Sequence, residues 1–73
     1  METFDIQVLL KDGTFADYEV KYDKQKYEVR QNEKALITFQ ANEDGTWSSY
    51  DNAGDIDDDL KERIINQLNG FKI

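Results

Sequence analysis

The sequence predicts an α+β domain: an antiparallel five-stranded β-meander with one C-terminal helix packed on one face, two layers in the order βββββα. Three observations predict it. Apolar and polar residues alternate from Phe4 to Gln40, the period of half-buried strands. Short polar turns interrupt that alternation. Residues 57–69 then change to a helical period.

The first strand sets Phe4, Ile6, Val8 and Leu10 on one face, with Asp5, Gln7 and Leu9 opposite. The second sets Ala16, Tyr18, Val20 and Tyr22 against Asp17, Glu19 and Lys21. A loop "DGT" at 12–14 joins them and places Val8 opposite Tyr18 and Ile6 opposite Val20. The third strand sets Tyr27 and Val29 against Glu28 and Arg30. With "DKQK" at 23–26 as its loop, Tyr22 faces Tyr27 and Val20 faces Val29. On the other face Lys21 then meets Glu28 and Glu19 meets Arg30. A slip of one residue would lose both sets of pairs. The fourth strand sets Ala35, Ile37 and Phe39 against Leu36, Thr38 and Gln40. "NEK" at 32–34 as its loop places Val29 opposite Ile37 and Tyr27 opposite Phe39. All three loops keep one face apolar.

The fifth strand is "TWSSY", residues 46–50, and its register is open. A two-residue loop Asp44–Gly45 puts Trp47 on the polar face beside Gln40. A three-residue loop "EDG" puts Trp47 opposite Ala41 on the core face. The second suits a small core, because a buried indole contributes a large apolar area. Under the first, Trp47 beside Tyr50 and Leu36 would form an exposed docking hot spot.

The helix covers 57–69, "DDDLKERIINQLN". Leu60, Ile64, Ile65 and Leu68 form its apolar stripe, with Ile56 just ahead. Gly70 fits the left-handed position after a helix, and Phe71 can fold back on Ile65.

With 73 residues, the chain is read as a single small domain, 1–73. It has no Cys and no His. Disulfides, Cys/His zinc sites, thiol redox chemistry and iron–sulfur ligation are therefore excluded. No apolar run approaches the roughly 20 residues of a membrane helix. The start "METFDIQVLL" alternates like a strand and lacks the basic region of a signal peptide. The expectation is a cytoplasmic protein, unless a leader has been removed.

Net charge is −7 and is concentrated between residues 42 and 62. An acidic field repels phosphates and anionic lipid, so neither nucleic acid nor membrane is an expected direct partner. Asp55, Asp57, Asp58 and Asp59 stand at the helix start, where carboxylates cap backbone N–H groups and oppose the helix dipole. A calcium loop is the sharper alternative. Placing Gly54 at its sixth position gives Ser49, Asp51, Ala53 and Asp57 at the first, third, fifth and ninth, and Leu60 at the twelfth. Ala53 and Leu60 are not ligands, and no bidentate Glu closes the loop. Asp51, Asp55 and Asp57 remain the residues for a weak cation site.

Catalysis lacks its usual groups. No His or Cys supplies a base or nucleophile, and Ser48 and Ser49 have no base beside them. Glu19 and Glu28 are accounted for as cross-strand partners of Arg30 and Lys21. The expectation is a non-enzyme with no cofactor.

From Tyr27 onward, the order "YEVRQ…ALITF…NEDGTW…LKERIINQLNGFKI" resembles the PepSY-like small domains. They share two strands, a DG turn followed by an aromatic, and an amphipathic helix ending near Gly-aromatic-x-Ile. The resemblance implies a β-meander with a helix and a protein-binding or inhibitory role. It carries over no catalytic residue. That family is usually exported, and its pattern starts another strand where this sequence reads "FKI".

The functional expectation is an acidic, non-catalytic protein-interaction module. Its contact residues would be Trp47, Tyr50, Asp55, Asp57, Asp58 and Asp59, its partner another protein of basic character. "TWSSY" is the candidate edge for strand addition, and the chain is expected as a monomer or a weak edge-strand homodimer. The alternatives are an acidic nucleic-acid mimic that inhibits a DNA- or RNA-binding protein, and a weak divalent-cation or small-ligand binder at 42–59.

Overall fold

In the computed structural model, which describes residues 2–70, five strands and one helix follow in the expected order. β1 is Glu2–Leu9, β2 Phe15–Asp23, β3 Lys26–Gln31, β4 Lys34–Ala41, β5 Trp47–Tyr50, and α1 is Asp58–Asn69. Each strand pairs antiparallel with its neighbour in sequence, so the sheet order is β1-β2-β3-β4-β5.

The alternation sorts the side chains onto two faces. Ile6, Val8, Tyr18, Val20, Tyr27, Val29, Ile37, Phe39 and Ala41 are buried on one of them. α1 covers that face, lying against β1, and adds Ile64 and Leu68. Each large side chain buried there contributes about 1.5–3 kcal/mol. Among the described residues no polar or charged side chain is buried, and no helix is long and apolar enough to cross a membrane.

The β2–β3 register is the expected one: Tyr22 faces Tyr27, Val20 faces Val29, Lys21 faces Glu28 and Glu19 faces Arg30. Its loop is shorter than 23–26, because Asp23 pairs with Lys26 and Lys24 turns the chain at φ 59°.

The β1–β2 register differs. Ile6 faces Tyr18, Val8 faces Ala16 and Phe4 faces Val20. The shift is two residues, so every side chain keeps its face. The cause is the turn. Leu10 N–H donates to Thr14 O at 2.7 Å, and Gly13 N–H donates to Leu10 O at 3.0 Å. The loop is thus Lys11–Gly13, with Gly13 at φ +89° in the region glycine enters freely. Asp12 Oδ1 fixes it, accepting from Thr14 N at 3.0 Å and Thr14 Oγ1 at 2.6 Å.

The same turn recurs between β4 and β5. Asn42 N–H donates to Thr46 O at 2.9 Å, and Gly45, at φ +89°, donates to Asn42 O at 3.1 Å. Asp44 Oδ1 accepts from Thr46 N at 3.0 Å and Thr46 Oγ1 at 2.6 Å. "EDG" is therefore the loop, and Trp47 faces Ala41.

Between β3 and β4 the expected pairs Tyr27–Phe39 and Val29–Ile37 form, but the loop is Asn32–Glu33 instead of "NEK". Both of its residues have positive φ, 54° and 65°, as a tight two-residue hairpin turn requires. The saved residue reappears as a bulge. Arg30 faces Ala35, leaving Leu36 as the extra residue of β4. Leu36 packs against the core cluster and is not on the open face where alternation placed it.

That bulge receives the chain leaving β5. Gly54 N–H donates to Leu36 O at 2.9 Å, and a Cβ on Gly54 would stand 2.9 Å from Leu36 Cβ. Asn52 then accepts from Ile56 N–H at 2.8 Å and donates to Ile56 O at 2.9 Å, seating Ile56 over the core. Asp57 caps α1. At the far end Gly70 stays right-handed, φ −70° and ψ −20°, and is not the expected left-handed cap. Its N–H still bonds Gln67 O and Leu68 O, so the helical turn closes on itself. The expected contact of Phe71 with Ile65 lies outside the described residues.

Candidate interaction surfaces

Trp47 and Tyr50 stand on opposite faces of β5. Trp47 is half-buried on the covered face, its ring centroid 5.3 Å from that of Tyr27. Its Nε1 donates to Asn69 Oδ1 at 3.2 Å, tying the last turn of α1 to the edge of the sheet. Tyr27 in turn lies 4.7 Å from Tyr22, ring to ring. Burial pushes the Tyr27 phenol pKa up, and the Tyr22 neighbour adds to it; burial alone raises that of Tyr18. Tyr50 faces Thr38 and is exposed on the open face. The two aromatics therefore share no surface.

The acids at the helix start have local partners. Asp57 Oδ1 accepts from Leu60 N–H at 2.8 Å. Asp59 holds Arg63 Nε at 2.9 Å, one turn along. Asp58 stands 3.8 Å from Lys61 Nζ, fully exposed, where such a pair contributes little. Asp51 and Asp55 are exposed, each at a positive-φ bend. Among the described residues no three acidic side chains are placed to hold one metal ion, so Asp51, Asp55 and Asp57 are not brought together.

The open face holds what sequence reasoning passed over. Leu9 and Phe15 face each other there, 46% and 61% exposed. Leu9 was legible as an apolar residue on the polar side. Phe15 was not, because the "DGT" loop set it beside the turn opposite Lys11 and not opposite Leu9. The Lys11–Gly13 turn extends the ladder and makes it the cross-strand neighbour of Leu9.

Charged side chains fill the middle of that face. Arg30 donates to Glu28 Oε1 at 2.8 Å and to Glu33 O at 3.0 Å, and lies 3.8 Å from Glu19. Arg30 thus takes the Glu28 that the register offered to Lys21. Asp5 faces Glu19, a like-charged pair directly across the ladder. At the two turns, the Thr14 and Thr46 hydroxyls and backbone N–H groups hold the Asp12 and Asp44 carboxyls below the usual 3.8.

No family model, curated protein or solved structure matches the chain.

Proposed function

We propose that the chain is a non-catalytic protein-interaction module that contacts its partner through the uncovered face of the sheet. The observation that carries this reading is the Leu9–Phe15 pair. A two-layer fold with a helix on one side can hide apolar side chains, and this one leaves Phe15 the most exposed large hydrophobic among the described residues. Exposed aromatics rimmed by charge are the usual anchors of protein contacts.

The charge of −7 favours a basic partner through long-range attraction. The PepSY-like resemblance implies the same role. The nucleic-acid mimic has less support, since Lys21, Lys26 and Arg30 interrupt the acids on the open face. A cation or small-ligand role at 42–59 has less still, because Asp57 and Asp59 are engaged within the helix.

The test is affinity capture from the native cell, read by quantitative mass spectrometry. Wild type should retain a protein that the Leu9→Ser/Phe15→Ser double variant loses, with both folded by circular dichroism. Retention should weaken as salt rises toward about 0.5 M, where surface charges are screened. Identical capture by the double variant would remove the open face from the reading.

A further inference from the structure

The two edges of the sheet are unequal. β5 is four residues long, and its chain turns away at Asp51. β1 is eight residues long and forms the other edge. Which of its backbone groups face outward follows from one hydrogen bond. Leu10 N–H donates across the ladder to Thr14 O. In an antiparallel pair, alternate residues turn both N–H and C=O toward the partner strand. Val8, Ile6 and Phe4 therefore turn toward β2. Leu9, Gln7, Asp5 and Thr3 turn outward.

Leu9 bears this out. Its carbonyl accepts from Arg63 Nη1 at 3.0 Å, a guanidinium reaching over from α1. Arg63 closes the upper end of the edge, while Thr3, Asp5 and Gln7 are exposed below it. Among the described residues no group bonds their outward N–H and C=O. Unpaired edge groups of this kind are a template for another strand.

Building on the protein-binding reading, we propose that the β1 edge accepts an extended basic segment of the partner protein as a sixth strand, with a Lys or Arg beside Asp5. The charge pattern selects the occupant. Asp5 faces Glu19, and like charges directly opposed in a ladder repel. Glu19 has Arg30 at 3.8 Å, whereas Asp5 has no ion pair among the described residues. A cation on an incoming strand stands next to Asp5 on the open face and relieves that repulsion. A second copy of the chain fits worse. The antiparallel register that uses Thr3, Asp5 and Gln7 of both copies sets Asp5 against Asp5, between chains of charge −7. Three outward residues at alternate positions match an incoming segment of about five residues.

The test uses ¹⁵N-labelled protein and two capped heptapeptides, one alternating threonine with lysine, the other threonine with glutamate. With the lysine peptide at millimolar concentration, the amides of Thr3, Asp5 and Gln7 should shift and slow in hydrogen exchange. The glutamate peptide should leave them unchanged. Gln7→Pro deletes one outward N–H, keeps every charge and leaves the β1–β2 ladder intact. It should weaken lysine-peptide binding tenfold or more. Asp5→Lys, which needs no backbone change, should reverse the preference between the peptides. Shifts confined to residues 55–59, binding unaltered by either variant, or no shift at all would overturn the proposal. The captured protein gives a separate decision. Capture abolished by Gln7→Pro supports the edge. Capture left intact overturns the edge while the protein-binding reading stands. With no captured protein that reading falls, and the peptide result alone decides the edge.

Discussion

The covered and open faces of the sheet come from the same strands, residue by residue in alternation, and differ in chemistry. On the covered face, Phe39, Val20 and Val29 are sealed from water beneath α1. On the open face the neighbours of those residues are Thr38, Glu19, Glu28 and Arg30, whose guanidinium joins the two glutamates. The apolar pair Leu9–Phe15 breaks the symmetry, being covered-face chemistry on the open side. Burial and the proposed recognition thus fall on alternate residues, and point substitutions can test whether they separate.

The largest effect should come from Phe39→Ala. Emptying a fully buried aromatic site costs about 3–5 kcal/mol, comparable to the whole margin of a domain this small. Urea unfolding would measure it, and a loss under about 1 kcal/mol would mean the covered face does not hold the fold. Next is Gly54→Ala. Its new Cβ meets Leu36 Cβ at 2.9 Å, so the bulge or the bend must shift, at about 1–3 kcal/mol. A neutral result would show that the connection to α1 slides freely over the sheet.

The acids at the helix start come third. Asp57→Ala should cost about 1 kcal/mol through loss of the cap to Leu60, and Asp58→Ala about a third of that or less. Equal effects would argue that the run acts as a charge and not as a cap. Phe15→Ser should change stability by about 0.5 kcal/mol or less, yet abolish partner capture. A large stability loss there would erase the distinction between the faces.

The smallest effect is a pH dependence. Asp12 and Asp44 have folded pKa values below their unfolded ones, held there by Thr14 and Thr46. Their stabilising contribution is therefore complete above the usual 3.8 and is lost as pH falls through the lowered folded values. Carboxyl NMR titration should place both midpoints below the usual 3.8. Asp12→Asn with Asp44→Asn should flatten acid unfolding over that range.

The two Asp-Gly-Thr turns show where sequence reasoning succeeded and slipped. "EDGT" and "KDGT" build the same turn, with glycine third in the loop and threonine closing it just ahead of the next strand. Taking "DGT" in place of "KDG" as the loop at 11–14 moved the β1–β2 register by two residues. The faces survived because two is the period of a strand, but the Leu9–Phe15 contact was lost from view. At "NEK" the faces survived only in part. The turn took two residues, and the bulge carried Leu36 off the open face. Of the two registers open for Trp47, the fold takes the one that sets it opposite Ala41 on the covered face, and its bond to Asn69 joins residues that no local pattern links.

Face, element order and the helix with its Asp57 cap were all written in the local chain, because they depend on spacings of two, three and four residues. Register at the hairpins, the bulge at Leu36, the Trp47–Asn69 tie and the Arg63 closure of the β1 edge were not. Each depends on backbone groups finding hydrogen-bond partners across the fold, and a linear pattern does not say which partner is within reach. The edge left open at Thr3, Asp5 and Gln7 is the outcome of that pairing, and it is where the functional question now stands.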